Sequence, residues 1–379
     1  MNLKNPLRIC HLTTVHVRYD TRVFVKECCG LAAKGYDVTL IVADGKGDEV
    51  KDGVKIVDIG KPSGRIKRIL FYHKKILRKG LQLNADVFHF HDPELLRIGP
   101  KLAKKGKIVI YDAHEDIPRQ VLDKAYIPKL IRKPISALIE RFEDRIIRQL
   151  SGVITVTPDL EKRFSKNNKN VVMVLNFPKV EEFKTDNSKN KTKENAVCYV
   201  GAISKVRGVL GMVEAMQYCN GTTLLLGGKF ENVELRNLAI ASKGWVNVKE
   251  LGFLSREEVK NTLVRSVAGL VVLEPTKSYL ESIPVKMFEY MVAGIPVIAS
   301  DFQYWRDLIE EENCALFVDP SNPKEISSAV KKLVENQELA KEMGLRGQKA
   351  VLKKFNWDIE EKKLVRFYYD ITEETSITV

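Results

Sequence analysis

Two carboxylates eight positions apart, Glu281 and Glu289, lie in the segment of the chain whose residue types could do the most chemistry. Pro284 suits the first turn of a helix and Gly294 suits its end, so the sequence predicts a helix between them. The start of a helix presents unpaired backbone N–H groups and a positive dipole end, which together bind phosphate. A carboxylate accepts two hydroxyl hydrogen bonds at once, so two acids beside a phosphate site suit a sugar and a ribose. On spacing alone, a loop charge at Glu281 and a solvated helix residue at Glu289 are equally good interpretations.

The elements that position this segment follow from an alternation of short apolar runs and amphipathic stretches along the whole chain. Near-continuous apolar runs indicate parallel strands buried on both faces, and the stretches between them have helical spacing. The predicted fold class is α/β, with two Rossmann-like, doubly wound parallel-sheet domains facing a central cleft. The predicted strands are 7–13, 38–43, 54–58, 87–90, 108–111, 152–156, 171–175, 197–200, 223–226, 246–248, 270–273, 296–299 and 315–318. The main predicted helices of the first half are 21–34, 65–83, 128–150 and 159–165.

A polar stretch without apolar anchors, near 184–195, is the best candidate for a linker between the two predicted domains. The predicted organisation is a first domain at 1–180, a linker at 181–195 and a second domain at 196–355. The last segment, 356–379, is predicted to be a helix that can pack back on the first domain. The expected ligand site lies where the carboxyl ends of the two sheets face each other.

Five segments, taken together, resemble the retaining nucleotide-sugar glycosyltransferases of family 4, which have the GT-B fold. The most specific is the Glu281 and Glu289 pair, in which Glu289 opens the run EYMVAGIPVIAS. The others, in chain order, are YVGAISKVRGV from Tyr199, LGG from Leu226, LGFLSREE from Leu251 and FNW from Phe355. Within the family, the resemblance is to the bacterial enzymes of capsule and O-antigen polysaccharide synthesis.

The resemblance implies that the second domain binds the nucleotide-sugar donor. The first glutamate of the family's pair contacts the donor sugar and the second binds the ribose, which implies these roles for Glu281 and Glu289. The basic residue before the glycine in the second-domain opening binds the diphosphate, and it corresponds to Arg207. Most members have a basic residue where this chain has Ala202, so Lys205 is predicted to supply that charge. The predicted donor-binding residues are Gly201, Lys205, Arg207, Gly228, Glu281, Pro284, Val285, Lys286 and Glu289.

The resemblance also implies that the first domain is the acceptor side. His114 resembles the family position where a histidine approaches the donor sugar, so the predicted catalytic residues are His114, Glu281 and Arg207. A lone histidine at a strand end is otherwise more often a hydrogen-bonded core residue. The family's glycine pair after the first strand is replaced here by the run HVRYDTR at 16–22. The remaining acceptor or loop candidates are Arg18, Asp20, Arg22, His91 and Asp92.

The activity implied by the resemblance is that of a hexosyltransferase-type glycosyltransferase, in class EC 2.4. It would move a sugar from a nucleoside-diphosphate sugar, with UDP favoured, to a hydroxyl acceptor and retain the anomeric configuration. His114 and Glu281 would hold the sugar from opposite sides of the cleft. No cofactor beyond the nucleotide-sugar substrate and no metal are expected, because Arg207, Lys205 and the helix start near Pro284 would stabilise the leaving diphosphate.

Two other classes of function stay open on the residues alone. His89 and His91 alternate onto one face of a strand, which is a spacing found in metal-dependent hydrolases. Such an enzyme needs ligands from later strands, yet no histidine follows His114, and the sequence contains no Asp-x-Asp motif for a metal and a diphosphate. The other class is a non-catalytic module that binds nucleotide sugars or anions.

The positive charge of the chain is concentrated in its first half. Residues 1–180 contain 35 Lys and Arg against 20 Asp and Glu, although the whole chain has a net charge of +13. The stretch 61–83 contains no acidic residue and has apolar residues at approximately helical spacing, which predicts a helix that lies on an anionic membrane. A helix that covers the sheet with its lysines extended into water is an equally good interpretation. Nucleic acid is not expected as a partner, because aromatic residues are not interleaved with the charges.

The composition predicts a cytoplasmic protein, peripheral at most on the inner face of the membrane. The longest apolar runs are far shorter than the roughly 18 residues that a membrane span needs, and residues 1–6 lead directly into a strand without a signal-peptide core. The six cysteines are scattered without metal-like spacing, which is typical of reduced core residues. Together with the basic first half, the resemblance favours a lipid-linked saccharide acceptor in surface polysaccharide synthesis.

Overall fold

A computed structural model of the chain describes residues 6–124, 127–183 and 193–377. The contacts divide the chain into two units, one formed by Met1–Asn176 together with Asp358–Val379 and the other by Phe177–Trp357. Phe177, which the sequence analysis placed in the first domain, packs against Phe288 and Phe355 of the second unit. The predicted linker at 181–195 falls largely on 184–192, which lie outside the described residues.

The first unit is built on an eight-stranded sheet in the order β3-β4-β2-β1-β5-β6-β7-β8. All of its pairings are parallel except that of β3 with β4. The sequence pattern does not predict β3, because this short edge strand contains one apolar residue, Val50, between two charged ones. The strands are β1 Arg8–Leu12, β2 Asp37–Val42, β3 Glu49–Lys51, β4 Val54–Asp58, β5 Val87–Phe90, β6 Ile108–Ala113, β7 Gly152–Thr155 and β8 Val171–Met173.

Helices cover both faces of this sheet, as parallel strands buried on both sides require. One face carries Leu12, Phe88 and Phe90 in a large apolar core, and the alternation of the strands turns His11 and His89 to the other face. The helical segments are Thr21–Cys28, Cys29–Ala33, Arg65–Lys67, Arg68–Tyr72, His73–Gln82, Pro93–Ile98, Gly99–Ala103, Ile117–Asp123, Lys129–Ile147, Pro158–Phe164 and the C-terminal helix Trp357–Ile377.

The C-terminal helix completes the first unit. Tyr368 is fully buried, and its hydroxyl lies 2.7 Å from Nδ1 of His89. The Glu360 carboxylate accepts a hydrogen bond of 2.8 Å from the backbone N–H of Leu175, and the ring of Phe367 lies against Gly152, where no side chain would fit. These contacts join the two ends of the chain in one core.

The second unit is built on a six-stranded parallel sheet in the order β11-β10-β9-β12-β13-β14. The predicted strand at 246–248 is observed later, because Lys243–Asn247 forms a helical turn. The strands are β9 Ala196–Val200, β10 Thr223–Gly227, β11 Val248–Gly252, β12 Ala268–Val271, β13 Val297–Ser300 and β14 Ala315–Val318. The helical segments are Val180–Phe183, Lys205–Arg207, Val209–Ala215, Met216–Tyr218, Val233–Ala241, Lys243–Asn247, Arg256–Arg265, Lys277–Leu280, Val285–Val292, Gln303–Ile309, Glu310–Glu312, Pro323–Glu335 and Gln337–Lys353.

Each unit therefore has the doubly wound α/β organisation that the sequence predicts. Among the described residues, no helix combines the length and the apolar character that are needed to cross a membrane.

Candidate functional site

The strand order of the second unit determines where a ligand can bind. Strand β9 lies between β10 and β12, so the connections that leave β9 and β12 run in opposite directions. In open α/β sheets a crevice forms at the carboxyl ends of the strands on either side of such a switch point. Here the crevice is bordered by the loops that follow β9, β10 and β12, and most of the predicted donor-binding residues lie on these loops.

Glycines bring the ends of β9 and β10 into direct backbone contact. Gly201 donates a backbone hydrogen bond of 2.8 Å to the carbonyl of Gly227. A Cβ at Gly228 would overlap the carbonyl oxygen of Gly201, and both residues have φ near +140°, a conformation that side chains disfavour. The result is a bare stretch of backbone at the carboxyl edge of the sheet.

The ammonium group of Lys286 occupies the space over this backbone. A Cβ at Gly201 would overlap Cε and Nζ of Lys286, so the lysine lies directly on the glycine. Within the described residues, Lys286 Nζ makes no hydrogen bond or ion pair. Burial, together with the nearby Arg207 cation, lowers the pKa of Lys286 to about 8, although Glu289 acts in the opposite direction.

Arg207 is the second cation of this crevice. It lies in the short turn Lys205–Arg207 after β9, and its Nη1 donates to the carbonyl of Ala202 at 3.4 Å. Burial disfavours its charge, but interactions with Tyr279 and Tyr199 raise the pKa of Arg207 overall, so the guanidinium stays charged. Two neighbouring cations that repel each other form an electrostatic environment suited to an anion.

The helix Val285–Val292 starts at the same edge of the sheet. Pro284 is its N-cap residue and no side chain caps the helix, so the first backbone N–H groups have no side-chain acceptor. The preceding loop contains Glu281, which ends the short helix Lys277–Leu280. The loop is anchored by Trp305, whose indole N–H donates to the carbonyl of Ser282 at 2.8 Å.

Glu289 lies one turn into this helix and is only partly exposed. Its Oε1 is 3.4 Å from Nη1 of Arg256, the first residue of the helix Arg256–Arg265. Lys286 and Glu289 are three positions apart in this helix, so they share a face of it, and Glu289 raises the pKa of Lys286. An acid that extends from a helix beside a cationic pocket is suited to bind hydroxyl groups of a ligand held there.

The structure thus brings together Gly201, Arg207, Gly228, Lys286 and the start of the helix at Val285. Lys205, predicted as the second phosphate-binding charge, is exposed on its turn, and this role stays a prediction. Lys286, also predicted to bind the donor, lies near enough to Arg207 for that cation to lower its pKa. Tyr199 and Tyr279, which interact with Arg207, were not identified from the sequence. No local pattern marks them, because Tyr279 meets Arg207 only after the chain folds.

The first unit holds the predicted His91, Asp92 and His114 at the carboxyl ends of β5 and β6. His114 is partly exposed, and its Nε2 lies 3.0 Å from Oδ2 of the buried Asp112. Asp92 accepts hydrogen bonds from the hydroxyls of Thr13 at 3.0 Å and Thr14 at 2.9 Å. His91 and Asp92 are almost fully buried, so their observed contacts are internal to the unit.

The charged residues of the run 16–22 also have internal partners. Arg18 makes a bidentate pair with Asp44 at 2.7 and 2.8 Å and a further bond to Glu49 at 2.9 Å. Asp20 caps the helix Thr21–Cys28 by accepting from the backbone N–H groups of Arg22 and Val23. Arg22, an acceptor or loop candidate that also falls in the predicted helix 21–34, lies in the helix Thr21–Cys28, and its buried guanidinium binds Asp112 at 3.1 Å. These contacts show that Arg18, Asp20 and Arg22 stabilise the fold of the first unit. Their role at an acceptor stays a prediction.

Two family models match the chain. Residues 21–177 match the model described as Glycosyltransferase Family 4, and residues 180–350 match the model described as Glycosyl transferases group 1. Among curated proteins, a D-rhamnosyltransferase, WbpZ of Pseudomonas aeruginosa, is 24% identical over 270 residues, which are 70% of this chain and 68% of that protein. An uncharacterized glycosyltransferase of Methanocaldococcus jannaschii, MJ1607, is 25% identical over 46% of this chain and 45% of its own length.

Solved structures share the fold over nearly the whole chain. Sucrose-phosphate synthase from Thermosynechococcus elongatus has a TM-score of 0.77 at 16% identity and covers 97% of this chain and 100% of its own. Alr3699/HepE of Anabaena in complex with UDP and glucose has a TM-score of 0.73 at 14% identity, with 96% and 100% covered. WaaG, a glycosyltransferase involved in lipopolysaccharide biosynthesis, has a TM-score of 0.71 at 14% identity, with 94% and 98% covered.

The lowered pKa of Lys286 predicts how nucleoside diphosphate binding depends on pH. Below about pH 8 the ammonium is charged, and above it the charge is lost in the free protein. A bound diphosphate favours the charged form, so the affinity for UDP should fall about tenfold per pH unit above that value. Titration calorimetry with UDP from pH 7 to about 10 measures this slope.

The arginine variant separates this effect from other titrations. Lys286→Arg should lose the slope, because a guanidinium stays charged throughout this range. Lys277→Arg changes an exposed lysine in the preceding short helix and should keep the wild-type slope. A wild-type affinity that does not change across this range would contradict the assignment of Lys286 to the anion site.

Proposed function

Because the chain belongs to the family 4 type of glycosyltransferases and has the GT-B fold, we propose that it is a retaining, metal-independent hexosyltransferase. In this proposal the donor is a UDP-sugar bound in the crevice of the second unit. The acceptor is a hydroxyl group of a lipid-linked saccharide in surface polysaccharide synthesis. The observation that carries the proposal is the pair of neighbouring cations, Lys286 and Arg207, beside an uncapped helix start.

This arrangement supplies the charge that departure of a nucleoside diphosphate requires. When the bond between the anomeric carbon and the phosphate oxygen breaks, negative charge develops on the terminal phosphate. We propose that Lys286, Arg207 and the N–H groups of the first helical turn from Val285 stabilise that charge, because preorganised cations and amides do so without reorganisation. Fixed cations and amides can take the role that a divalent ion has in other transferases, which is why we propose metal independence.

The two acids and the similar proteins support the remaining donor assignments. Glu281, in the loop before the helix, is proposed to contact the donor sugar, and Glu289, one turn into it, the ribose. Both roles, and retention of configuration, come from the resemblance to family 4. Support for UDP comes from the Anabaena protein of the same fold, whose structures contain UDP, UDP with glucose, and UDP-glucose. The role of His114 as a second sugar contact stays a prediction.

Removing either charged contact should reduce transfer while leaving the fold intact. We expect Arg207→Ala and Glu281→Ala each to lower kcat by about two orders of magnitude, which is the usual cost of losing one contact to charge that develops in the transition state. Release of UDP and formation of the glycosylated acceptor, measured together, give both hydrolysis and transfer. The donor is chosen beforehand by a thermal-shift screen of uridine, guanosine and thymidine diphosphates and their sugars.

Exposed residues of the second unit provide the controls. Lys243→Ala and Glu338→Ala remove surface charges far along the chain from the crevice loops and should keep wild-type turnover. Wild-type turnover in Arg207→Ala would contradict the proposed leaving-group site. A wild-type chain that binds UDP-sugars but neither hydrolyses nor transfers them would instead indicate a binding module.

The acceptor proposal rests on an exposed surface of the first unit. Residues 65–82 form continuous helical segments in which Ile66, Leu70 and Phe71 are exposed, with Ile66 at 73% and Phe71 at 59%. The same segments contain several basic residues and no acidic residue, although Arg68 forms an ion pair with Glu94 at 2.9 Å. Ile76 is buried in the apolar core of the unit. Exposed apolar side chains ringed by lysines can insert between anionic headgroups, so we propose that this surface holds the enzyme at its lipid-linked acceptor.

Liposome sedimentation tests this surface. The chain should bind vesicles that contain anionic lipid at low salt, and the double variant Ile66→Glu and Phe71→Glu should reduce the bound fraction at least about fivefold, because each charge opposes the surface potential by about 1 kcal/mol. Val50→Glu, at an exposed apolar residue of the edge strand β3, should bind as the wild type does. Equal binding by the double variant, or a wild type that stays in the supernatant, would contradict the proposal.

A further inference from the structure

Three histidines meet on one face of the sheet in the first unit. His11 of β1 is in register with His89 of β5 in a parallel pairing. Side chains two positions apart in a strand lie on the same face, so His91, directly after β5, joins them. The centroid of the His89 ring lies 4.4 Å from the centroid of the His11 ring and 4.5 Å from that of the His91 ring.

Glu27, from the helix Thr21–Cys28, covers the three rings. Its Oε2 lies 4.0 Å from His11 Nδ1 and 3.9 Å from His91 Nε2, and those two nitrogens are 3.0 Å apart. All four residues are buried, with no more than 2% of any of them exposed. One potential ligand atom from each of the four lies within 4.8 Å of the others.

Several of these polar atoms have no hydrogen bond despite complete burial. Within the described residues, three of these atoms have no hydrogen-bond partner. They are both carboxylate oxygens of Glu27 and the Nε2 atom of His89. Glu27 Oε1 forms an ion pair with Arg22 Nε at 3.0 Å, and His89 Nε2 has Asp112 Oδ2 at 3.8 Å. A buried polar atom without a hydrogen-bond partner destabilises the fold. Glu27 Oε2 and His89 Nε2, which lie in a group of four potential ligand atoms within 4.8 Å of one another, therefore point to a missing partner between them.

We propose that His11 Nδ1, Glu27 Oε2, His89 Nε2 and His91 Nε2 bind one structural Zn²⁺ or a similar first-row divalent cation. Imidazole nitrogens and a carboxylate oxygen are usual zinc ligands, at about 2.0–2.2 Å, which places tetrahedral ligand atoms about 3.3 Å apart. The observed separations of 3.0, 3.9 and 4.0 Å bracket that spacing.

The surrounding groups are those that orient metal-binding histidines. A ligating imidazole usually donates its other N–H to a carboxylate, a carbonyl or water. Here the hydroxyl oxygen of Tyr368 is placed to accept from two of the rings, since it lies 2.7 Å from His89 Nδ1 and 3.4 Å from His11 Nε2. In the third ring, that of His91, the Nδ1 atom lies 3.4 Å from Oδ2 of Asp112. Asp112 and Glu27, with Arg22 as counter-ion, leave net negative charge for a cation to balance.

Such an ion would be structural, because four protein ligands leave no open position for a substrate. It would link β1, β5 and the helix Thr21–Cys28, and it would not replace the charges of the donor crevice. The competing arrangement has no metal, with Glu27 held as the neutral acid, since burial and Asp112 raise the pKa of this carboxyl well above its usual value. The two arrangements differ in metal content, which can be measured directly.

The test uses the full chain, incubated with Zn²⁺, freed of excess ion by gel filtration and analysed by inductively coupled plasma mass spectrometry. We expect about one zinc per chain and a thermal midpoint that rises with zinc concentration. His11→Gln and Glu27→Gln should each retain less than about a tenth of that metal. His73→Gln, which alters a histidine outside the cluster with Nδ1 3.2 Å from the carbonyl of Ile69, should retain all of it.

The absorption spectrum of the cobalt-loaded wild-type chain tests the proposal if the cluster variants fail to fold. Wild-type chain loaded with Co²⁺ should show the intense visible absorption of a tetrahedral site, whereas surface binding gives the weak spectrum of octahedral Co²⁺. Absence of stoichiometric metal in the wild type, an octahedral cobalt spectrum, or undiminished metal in both folded cluster variants would overturn the proposal.

Discussion

The contact between the backbone of Gly201 and the ammonium of Lys286 is the constraint on which the proposed donor site depends. It exists because β9 and β10 end in glycines whose backbones touch, which leaves room for a side chain from the helix Val285–Val292. An alanine at either strand end would displace the lysine or separate the strands. The same contact places the ammonium beside the first turn of that helix, so one local geometry brings together backbone amides and a cation.

The electrostatics of this site favour an incoming anion. Lys286 and Arg207 are close enough to repel each other, and burial opposes both charges. Without a ligand, the crevice therefore lowers the pKa of the lysine, and a diphosphate would relieve this unfavourable interaction. In the first unit, one guanidinium, that of Arg22, forms ion pairs with two buried carboxylates, Glu27 and Asp112. The crevice of the second unit therefore has an excess of positive charge that suits an anion, whereas the cluster of the first unit has an excess of negative charge that suits a cation.

The sequence predicted the α/β class and most strands, because apolar runs bounded by loops report burial directly. It also identified the helix start near Pro284 and the carboxylates on either side of it, since proline, glycine and acidic residues have local meaning. It did not predict that Lys286 and Arg207 would lie close enough to repel each other, because the distance between two loops depends on the packing of strand ends. The role of Glu27 was missed for the same reason, since only the register of β1 and β5 brings histidines to it.

A crystal structure of the chain with UDP bound tests the central claim most directly. The account predicts that diphosphate oxygens lie within about 3 Å of Lys286 Nζ and of a backbone N–H in the first turn from Val285, with the Arg207 guanidinium turned toward the same phosphates. A diphosphate bound at another edge of the sheet, or a Lys286 ammonium turned away from it, would contradict the account.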